Sequence, residues 1–576
     1  MPVRARALPI ALTAALLTGA CTSSPDEGSD PEEQVAQIVT AAPGDRLTLV
    51  ADEDPVAMAA SASRTFFDEA GVVVLVAEDD PAGTLLGASA AVALGVPLLV
   101  GADGSGVDEP VLAELERLGT TTVLAVGDAA PAPAAASSSS SAASSSPAEI
   151  DAEVIGVPAD PAAVAAVLDQ ELAEADPVAE GGEVAAVAAL DPAEPVALRP
   201  EGGRGGAAEE SSTEEDGEAD AEGSLPEIEG AEPLEGTLVM TTGTPDALAA
   251  AATARAAGAR VLVTGGTTDP RASQELISTL AEDDAEHVVA LGAGFGAEEG
   301  LDWKLATAAT GTQLPGGGQV LFPGRMMVAL YGHPETGALG VLGEQPVDAA
   351  IQRARDHAAP YEQLVDATVV PTFEIIATVA SASAGPDGNY SAEGDVEMLR
   401  PWVEAAGDAG LYVILDLQPG RTDFVTQAEL YRPLLELPYV GLALDPEWRL
   451  GPNEVHLVQI GSVGIEEVNR VVTWLADLTR ENELPQKLLV LHQFRVDMIP
   501  GLEQLDTSRD ELAIMVHVDG QGGQGAKQAT WQVLHRNAPE GLFWGWKNFY
   551  DEDIPMLTPG QTIEQVDPLP ELVTYQ

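Results

Sequence analysis

The sequence predicts a multidomain α/β protein, with an N-terminal α/β module built on a parallel sheet, acidic linkers, and a C-terminal (β/α)8 barrel. The chain has 576 residues, more than one domain usually holds. β-branched runs alternate with Ala- and Leu-rich segments, a pattern typical of parallel strands covered by helices. Seven strand–helix units fill residues 316–576, which is the size and rhythm of a (β/α)8 barrel. Because no eighth strand is evident, an open doubly wound sheet remains the alternative.

Charge and cysteine content exclude several classes of function. The chain has 93 acidic and 26 basic residues, a formal net charge of −67. Nucleic-acid binding depends on Lys and Arg neutralising phosphates, so no nucleic-acid partner is predicted. A polybasic attachment to anionic lipid is excluded for the same reason. One cysteine cannot form an internal disulfide or a Cys-rich metal site.

Residues 1–20 have the pattern of an export signal. Arg4 and Arg6 precede an apolar run over residues 7–17, which is shorter than the roughly 20 residues that span a bilayer. The small residues directly before Cys21 resemble the lipobox of bacterial lipoproteins. This resemblance implies lipidation of Cys21 and anchoring on the extracellular face of the membrane in a Gram-positive cell envelope. A plain secretory signal is the alternative. Polar, acidic residues 21–44 are predicted to form a tether.

Two segments, 45–128 and 237–300, share one plan of alternating strands and helices. The stretch GASAAVALGVPLLVGAD of the first aligns with AAAATARAAGARVLVTGG of the second, and PDALAA opens a helix at Pro245. These residues resemble the cell-wall-binding repeat 2 family of Gram-positive surface proteins. The resemblance implies a non-catalytic module that holds envelope polymer. A generic α/β scaffold that binds no ligand is the alternative.

Residues 129–236 are predicted to be a linker. They include the Ser/Ala-rich stretch PAPAAASSSSSAASSSP and an acidic run that starts at Glu201. Such segments cannot bury enough apolar surface to offset the loss of chain entropy. A short strand–helix piece is expected near residues 152–175.

The C-terminal segment, residues 316–576, alternates strands with helices. The predicted strands are Met326–Tyr331, Thr372–Val379, Tyr412–Asp416, Val440–Leu444, Lys487–His492, Leu512–Val518 and Leu542–Trp546. The predicted helices are Val347–Leu364, Val396–Ala409, Gln427–Leu435, Ile465–Glu481, Met498–Gln504 and Gly525–Asn537. Titratable residues collect at the C-terminal ends of these strands, which is where barrel enzymes carry their active sites.

The motif Asp445-Pro446-Glu447-Trp448 is the strongest catalytic candidate. Two carboxylates on one side of a strand end suit glycoside hydrolysis, which needs one protonated acid and one ionised base or nucleophile. Asp416, on the preceding strand, is the third catalytic candidate. The alternative interpretation makes Asp445 a buried cap that accepts hydrogen bonds from backbone amides.

Further polar and aromatic residues are predicted to form the substrate-binding surface. A tryptophan offers a flat apolar platform for a sugar ring, and histidine or carboxylate groups hydrogen-bond to its hydroxyls. The predicted substrate-binding residues are Trp448, His492, His517, Asp519, Trp544, Trp546, Glu374 and His333.

The function predicted from these residues is binding, and possible hydrolysis, of a cell-envelope or extracellular polysaccharide. A non-catalytic scaffold lipoprotein is the first alternative. The second is a zinc-dependent hydrolase in which His333, His492 and His517 join Asp445 or Asp519. No H-x-H or H-E-x-x-H spacing supports that set, so neither a metal nor a cofactor is predicted.

Overall fold

A computed structural model describes residues 35–101, 109–129, 152–202, 224–283, 285–536 and 538–576. Over these ranges the protein is a mixed α/β structure that ends in a closed barrel of eight parallel strands, which confirms the predicted fold class. The predicted signal peptide, the lipidation site Cys21 and much of the predicted tether lie outside the described residues. None of the helices within these ranges combines the length and apolar character needed to cross a bilayer.

The N-terminal part contains short strands and Ala-rich helices. Its strands are β1 (Val35–Thr40), β2 (Leu47–Val50), β3 (Phe67–Ala70), β4 (Val72–Ala77), β5 (Leu98–Gly101), β6 (Thr122–Val126), β7 (Glu153–Val157), β8 (Ala173–Glu174), β9 (Val196–Ala197), β10 (Glu227–Glu229), β11 (Thr237–Thr241), β12 (Arg260–Val263) and β13 (His287–Leu291). Its helices are α1 (Pro55–Phe66), α2 (Pro81–Leu94), α3 (Glu109–Leu118), α4 (Pro161–Leu168), α5 (Glu183–Ala188), α6 (Leu248–Ala256), α7 (Gln274–Glu282), α8 (Ala293–Ala297) and α9 (Leu301–Ala309).

Two four-stranded parallel sheets organise this part. Their strand orders are β5-β4-β6-β7 and β12-β11-β13-β2, so in each sheet the first strand of a segment lies between the second and third. Every residue of β4 is buried, as its β-branched sequence predicts. Thr253 on α6 links the two sheets, because its hydroxyl accepts a hydrogen bond from Leu98 N and donates one to Leu98 O.

Parts of the predicted tether and linker are folded. β1 falls within the predicted tether, yet it pairs with β3 and β10 because Ala36 and Ile38 alternate inward with the period of a strand. β7 and α4 match the expected strand–helix piece, and β7 extends the first sheet beside β6. Residues 176–202 of the predicted linker hold α5 and β9, since Val184 and Val187 are buried there.

The C-terminal part contains the barrel and its surrounding helices. Its strands are β14 (Arg325–His333), β15 (Thr336–Gly340), β16 (Thr368–Ala380), β17 (Ser391–Glu393), β18 (Tyr412–Leu417), β19 (Val440–Leu444), β20 (Lys487–His492), β21 (Leu512–Val518), β22 (Phe543–Asn548) and β23 (Leu572–Tyr575). Its helices are α10 (Val347–Ala358), α11 (Val396–Asp408), α12 (Phe424–Leu430), α13 (Arg432–Leu435), α14 (Ile465–Glu481), α15 (Gln524–Arg536) and α16 (Pro559–Gln565).

The barrel closes through its first strand. The order is β14-β23-β22-β21-β20-β19-β18-β16, and β14 also pairs in parallel with β16. This closure rules out the open doubly wound sheet. The eighth strand, β23, spans only Leu572–Tyr575, which is why the sequence pattern did not reveal it. β15 and β17 are short antiparallel additions on β14 and β16.

Most predicted barrel elements occur where the sequence placed them, and β19, β20, β21 and α14 have the predicted bounds. The predicted helix Met498–Gln504 is wrong, because Pro500 and Gly501, with its φ of +85°, interrupt it and leave two short 3-10 turns. Two further differences also lie near prolines. The predicted helix from Val347 ends at Ala358, and the one predicted over Gln427–Leu435 breaks into α12 and α13 at Tyr431.

Candidate functional site

Every strand of the barrel contributes one polar side chain to a ring at its C-terminal end. Lower in the barrel, inward positions are apolar, as at Ala329, Ile414 and Val490. Two residues further along each strand, the same face carries a polar group, because strand side chains alternate with a period of two. These side chains are at most 3% exposed. The ring consists of Tyr331, Glu374, Asp416, Asp445, His492, His517, Lys547 and Thr574.

A cavity of about 430 Å³ opens above this ring. Its lining includes Asp445, Glu447 and Asp519 together with Lys547 and Trp448. Three carboxyl groups therefore share one concave surface with an aromatic side chain. Such a combination of a cleft and convergent titratable groups marks a candidate active site.

Asp445 has two structural roles. Its Oδ1 accepts a hydrogen bond from Glu447 N at 3.3 Å, so it caps the 3-10 turn Pro446–Trp448, as the alternative interpretation expected. It also lines the cavity with Glu447, as the catalytic interpretation expected. Burial and the nearby Glu447 and Asp416 raise the pKa of Asp445 well above its usual range. Burial and the charge of Asp519 raise the pKa of Glu447 to about 7.

Asp416 lies below the cavity rather than in its wall. Its side chain is fully buried, and the Tyr331 hydroxyl donates a hydrogen bond to its Oδ2 at 2.9 Å. Burial raises the pKa of Asp416 to about 6; the charge of His492 opposes this shift, and Glu374 adds to it. This position suits a residue that orients other groups better than one that contacts substrate.

His492 connects two carboxylates beneath the cavity. Its Nε2 lies 2.8 Å from Glu374 Oε1, and its Nδ1 lies 3.1 Å from Asp519 Oδ2. Burial alone would lower the pKa of His492, but the two carboxylates outweigh it and raise that pKa well above its usual value. Burial alone would raise the pKa of Glu374, but His492, His517 and Lys547 hold it at about 2.

His517 is buried without a hydrogen-bond partner. Neither of its ring nitrogens is bonded to any group in the described part of the chain, and its Nδ1 lies 3.9 Å from Glu374 Oε1. Burial lowers the pKa of His517 to about 3, with Glu374 opposing the shift and His492 adding to it. One ligand atom from each of Glu374, His492 and His517 can lie within 4.8 Å of the others, so these three residues could hold a metal ion.

The structure does not bring all the predicted substrate-binding residues to the cavity. Trp448 lines it and packs edge-on to His456, with ring centroids 5.3 Å apart. Trp544 and Trp546 lie on the outer face of β22, where both pack against Trp531 of α15. Alternation explains this correction, since Gly545 and Lys547 occupy the inner face of that strand.

His333 also lies away from the predicted zinc set. It ends β14 at the turn into β15, where its Nδ1 accepts a hydrogen bond from Glu335 N at 3.2 Å. His492 and His517 do converge, but their third neighbour is Glu374. Two histidines of the predicted zinc set, His492 and His517, therefore lie together, whereas His333 lies apart from them.

Three ring residues were missing from the predicted site. Lys547 places its Nζ 3.6 Å from the centroid of the Tyr331 ring, and the Thr574 hydroxyl donates to Glu374 Oε2 at 3.0 Å. Tyr331 and Lys547 could have been identified from the sequence, because each lies two residues beyond an inward-facing position of its strand. Thr574 could not be found because its strand was not recognised.

Comparison with known proteins finds only distant similarity to solved structures. No protein-family model matches the sequence, and no curated protein does. Similar solved structures include two cell-wall proteins of Clostridium difficile. Cwp6 is 12% identical, with a TM-score of 0.31 over 70% of this chain and 66% of Cwp6. Cwp8 is 13% identical, with a TM-score of 0.29 over 47% of this chain and 52% of Cwp8. At these TM-scores the function must be argued from the chain's own residues.

Proposed function

We propose that this protein is a cell-envelope protein whose barrel binds a polysaccharide and hydrolyses its glycosidic bonds. The observation that carries the proposal is the single cavity shared by Asp445, Glu447 and Asp519, with Trp448 in its wall. Glycoside hydrolysis uses one carboxylic acid and one carboxylate on either side of the scissile bond. A tryptophan beside them gives a sugar ring a surface to stack on.

Glu447 is assigned as the general acid. Burial favours its neutral form, so it retains a proton near neutral pH and can pass it to the leaving glycosidic oxygen. Asp519 is assigned as the ionised partner, because its Oδ2 accepts a hydrogen bond from His492 while it faces the same cavity. It attacks the anomeric carbon or takes a proton from the attacking water. Water supplies the hydroxyl of the new reducing end.

Asp445 and Asp416 have supporting roles in this proposal. Asp445 caps the turn that carries Glu447, and its own pKa is raised by burial and by the charge of Glu447. Asp416, the third residue predicted to be catalytic, lies beneath the cavity and accepts a hydrogen bond from Tyr331, which lines it. The predicted pair Asp445 and Glu447 is therefore revised to Glu447 and Asp519.

The proposed location rests on the sequence. Lipidation of Cys21 would anchor the protein on the outer face of the membrane, and segments 45–128 and 237–300 would hold wall polymer. The barrel would then act on polysaccharide within reach of the membrane. A non-catalytic scaffold is the second candidate, which the capping role of Asp445 favours.

The test is to incubate the protein lacking residues 1–33 with purified wall polysaccharide while measuring binding and reducing-end release. Wild-type protein should bind and release, and Glu447→Gln should bind but lose release by at least about 100-fold. Glu481→Gln, at the exposed end of α14, is the matched control and should behave as wild type. Binding without release by the wild type would establish the scaffold. Equal release by Glu447→Gln would overturn the assignment of the acid.

A further inference from the structure

We propose that Glu374, His492 and His517 bind one divalent metal ion of the zinc type beneath the floor of the cavity. This site goes beyond the proposed function, because these three side chains are fully buried and none of them lines the cavity. The ion would hold strands β16, β20 and β21 together below the substrate. It would not itself contact the sugar.

The spacing of the three side chains suits coordination. His492 Nε2 lies 2.8 Å from Glu374 Oε1, and His517 Nδ1 lies 3.9 Å from the same oxygen. A tetrahedral zinc ion with bonds of about 2.0–2.1 Å separates its ligand atoms by about 3.3 Å. The distance from His492 Nε2 to Glu374 Oε1 must therefore lengthen, and the distance from His517 Nδ1 to that oxygen must shorten, each by about half an ångström. Side-chain rotations of that size need no movement of the strands.

Among the described residues, two buried side chains have atoms without a hydrogen-bond partner, and an ion would supply one. Neither nitrogen of His517 is hydrogen-bonded to any described residue, although the side chain is 0% exposed. Asp416 Oδ1 is also unpaired among these residues and lies 3.8 Å from His492 Nε2. Burying such groups without a partner destabilises the folded chain. A cation between them pairs one nitrogen of His517 and gives Asp416 a place as fourth ligand.

The outer ends of Glu374, His492 and Asp416 are already fixed by hydrogen bonds. His492 Nδ1 bonds to Asp519 Oδ2, Thr574 Oγ1 donates to Glu374 Oε2, and Tyr331 Oη donates to Asp416 Oδ2. Metal ligands in proteins are oriented by such outer partners, most often a carboxylate on the second nitrogen of a histidine. The remaining atoms, Glu374 Oε1, His492 Nε2 and Asp416 Oδ1, are thus the ones that face one another inside the cluster.

A cluster without metal explains less. A doubly protonated His492 accounts for its bonds to Glu374 and Asp519, but it leaves His517 and Asp416 Oδ1 without partners. The surroundings also favour a cation, since Asp416 Oδ1 lies 3.8 Å from His492 Nε2 and Asp519 Oδ2 lies 3.1 Å from His492 Nδ1. Two imidazoles with one or two carboxylates select zinc, or cobalt as its substitute, over calcium and magnesium.

The experiment measures metal content and rebinding with the folded chain. Protein stripped with a chelator is titrated with Zn²⁺, and with Co²⁺ whose visible absorption reports tetrahedral coordination. We expect about one ion per chain, which is the stoichiometry of a single site of this kind. His517→Gln removes a direct ligand. It should therefore weaken zinc binding by more than about 100-fold, which is the largest loss expected when only an outer partner of a ligand is removed. His333 is a partly exposed histidine at the end of β14, outside the cluster. His333→Gln is therefore the matched control and should bind zinc as the wild type does.

A second variant guards against a folding failure of His517→Gln. Thr574→Val keeps the side-chain shape and removes only the bond to Glu374, so it should weaken zinc binding by about 10–100-fold. Wild-type protein that takes up no zinc, or equal binding by wild type and Thr574→Val, overturns the proposal. Glu447→Gln should keep full zinc binding while losing glycan release. Failure of the metal site is therefore separable from failure of the proposed hydrolase activity.

Discussion

His492 Nε2 lies 2.8 Å from Glu374 Oε1, although 118 positions separate the two residues in the chain. They lie on β20 and β16, which are separated in the sheet by β18 and β19. Their contact crosses the interior of the barrel, so it exists only because the sheet closes. The site is therefore a product of barrel closure.

The stability of the protein should depend on pH through Glu447. Burial and Asp519 raise its folded-state pKa from the ordinary 4.5 to about 7. Between these values the folded state retains a proton that the unfolded state has lost. The contribution of this group to the free energy of unfolding is thus full below about pH 4.5 and is lost as the pH rises through about 7.

Urea unfolding of wild type and Glu447→Gln over this pH range checks this prediction. The variant cannot ionise at residue 447, so its stability should gain on wild type as the pH rises from about 4.5 to 7 and then keep a constant difference. A difference that does not change with pH would contradict the raised pKa. Glu481→Gln, on the exposed end of α14, should show no such trend.

Trp448 and Trp546 should respond differently to substitution. Trp448 lines the cavity, so Trp448→Ala should weaken polysaccharide binding by about tenfold, the loss of one aromatic contact. Trp546 is 0% exposed on the outer face of β22, so Trp546→Phe should lower stability and leave the affinity unchanged. Affinity electrophoresis alongside thermal unfolding separates the two effects. Weaker binding by Trp546→Phe at unchanged stability would place the sugar elsewhere.

Ile414 supports the ring from inside the barrel. It is 0% exposed and lies two residues before Asp416 on the inner face of β18. Ile414→Ala should lower the free energy of unfolding by about 2–5 kcal/mol, because it removes buried methyl groups and leaves a cavity. Ile554→Ala, at a site that is 75% exposed, is the matched control and should change stability by less than about 0.5 kcal/mol. Denaturant titration distinguishes them, and similar losses would contradict the assigned inner layer.

Glu114 stabilises the N-terminal part through buried hydrogen bonds. Its carboxylate is 0% exposed and accepts bonds from Ser63 Oγ at 2.6 Å and Arg64 Nε at 2.9 Å, and it also pairs with Arg117. Glu114→Gln should cost about 1–3 kcal/mol, because its neutral amide loses the charge and leaves a buried donor unpaired. Its neighbour Glu116 is exposed, so Glu116→Gln should be close to neutral. Equal thermal midpoints for the two variants would contradict this role.

The positions of Asp416 and Asp445 were predictable because both residues lie at the ends of strands whose bounds the sequence defines well. Asp416 ends an apolar run, and Asp445 follows another, so both were placed at the correct end of the barrel. Their individual roles were not predictable. Whether a carboxylate lines a cavity, like Asp445, or lies beneath it, like Asp416, depends on the tilt of its strand and on neighbours from other strands.

The sequence shows that Trp544 and Trp546 lie on the same face of their strand, but it does not show whether that face points into the barrel or out of it. Alternation places both on one face of β22 and Gly545 with Lys547 on the other, and only packing shows which face meets the helices. Aromatic residues near a strand end suggested a sugar platform, yet Trp531 of α15 covers them. A large apolar ring is buried wherever a helix can pack on it.

By itself, the sequence determined the fold class, because the buried strands and the stripe of α14 depend on local periodicity, which each segment carries alone. Tertiary structure alone decided the closing strand and the grouping of Glu374, His492 and His517. Residues from distant strands approach one another only when the sheet curves fully around. That closure depends on pairing across the whole domain, and no single segment encodes it.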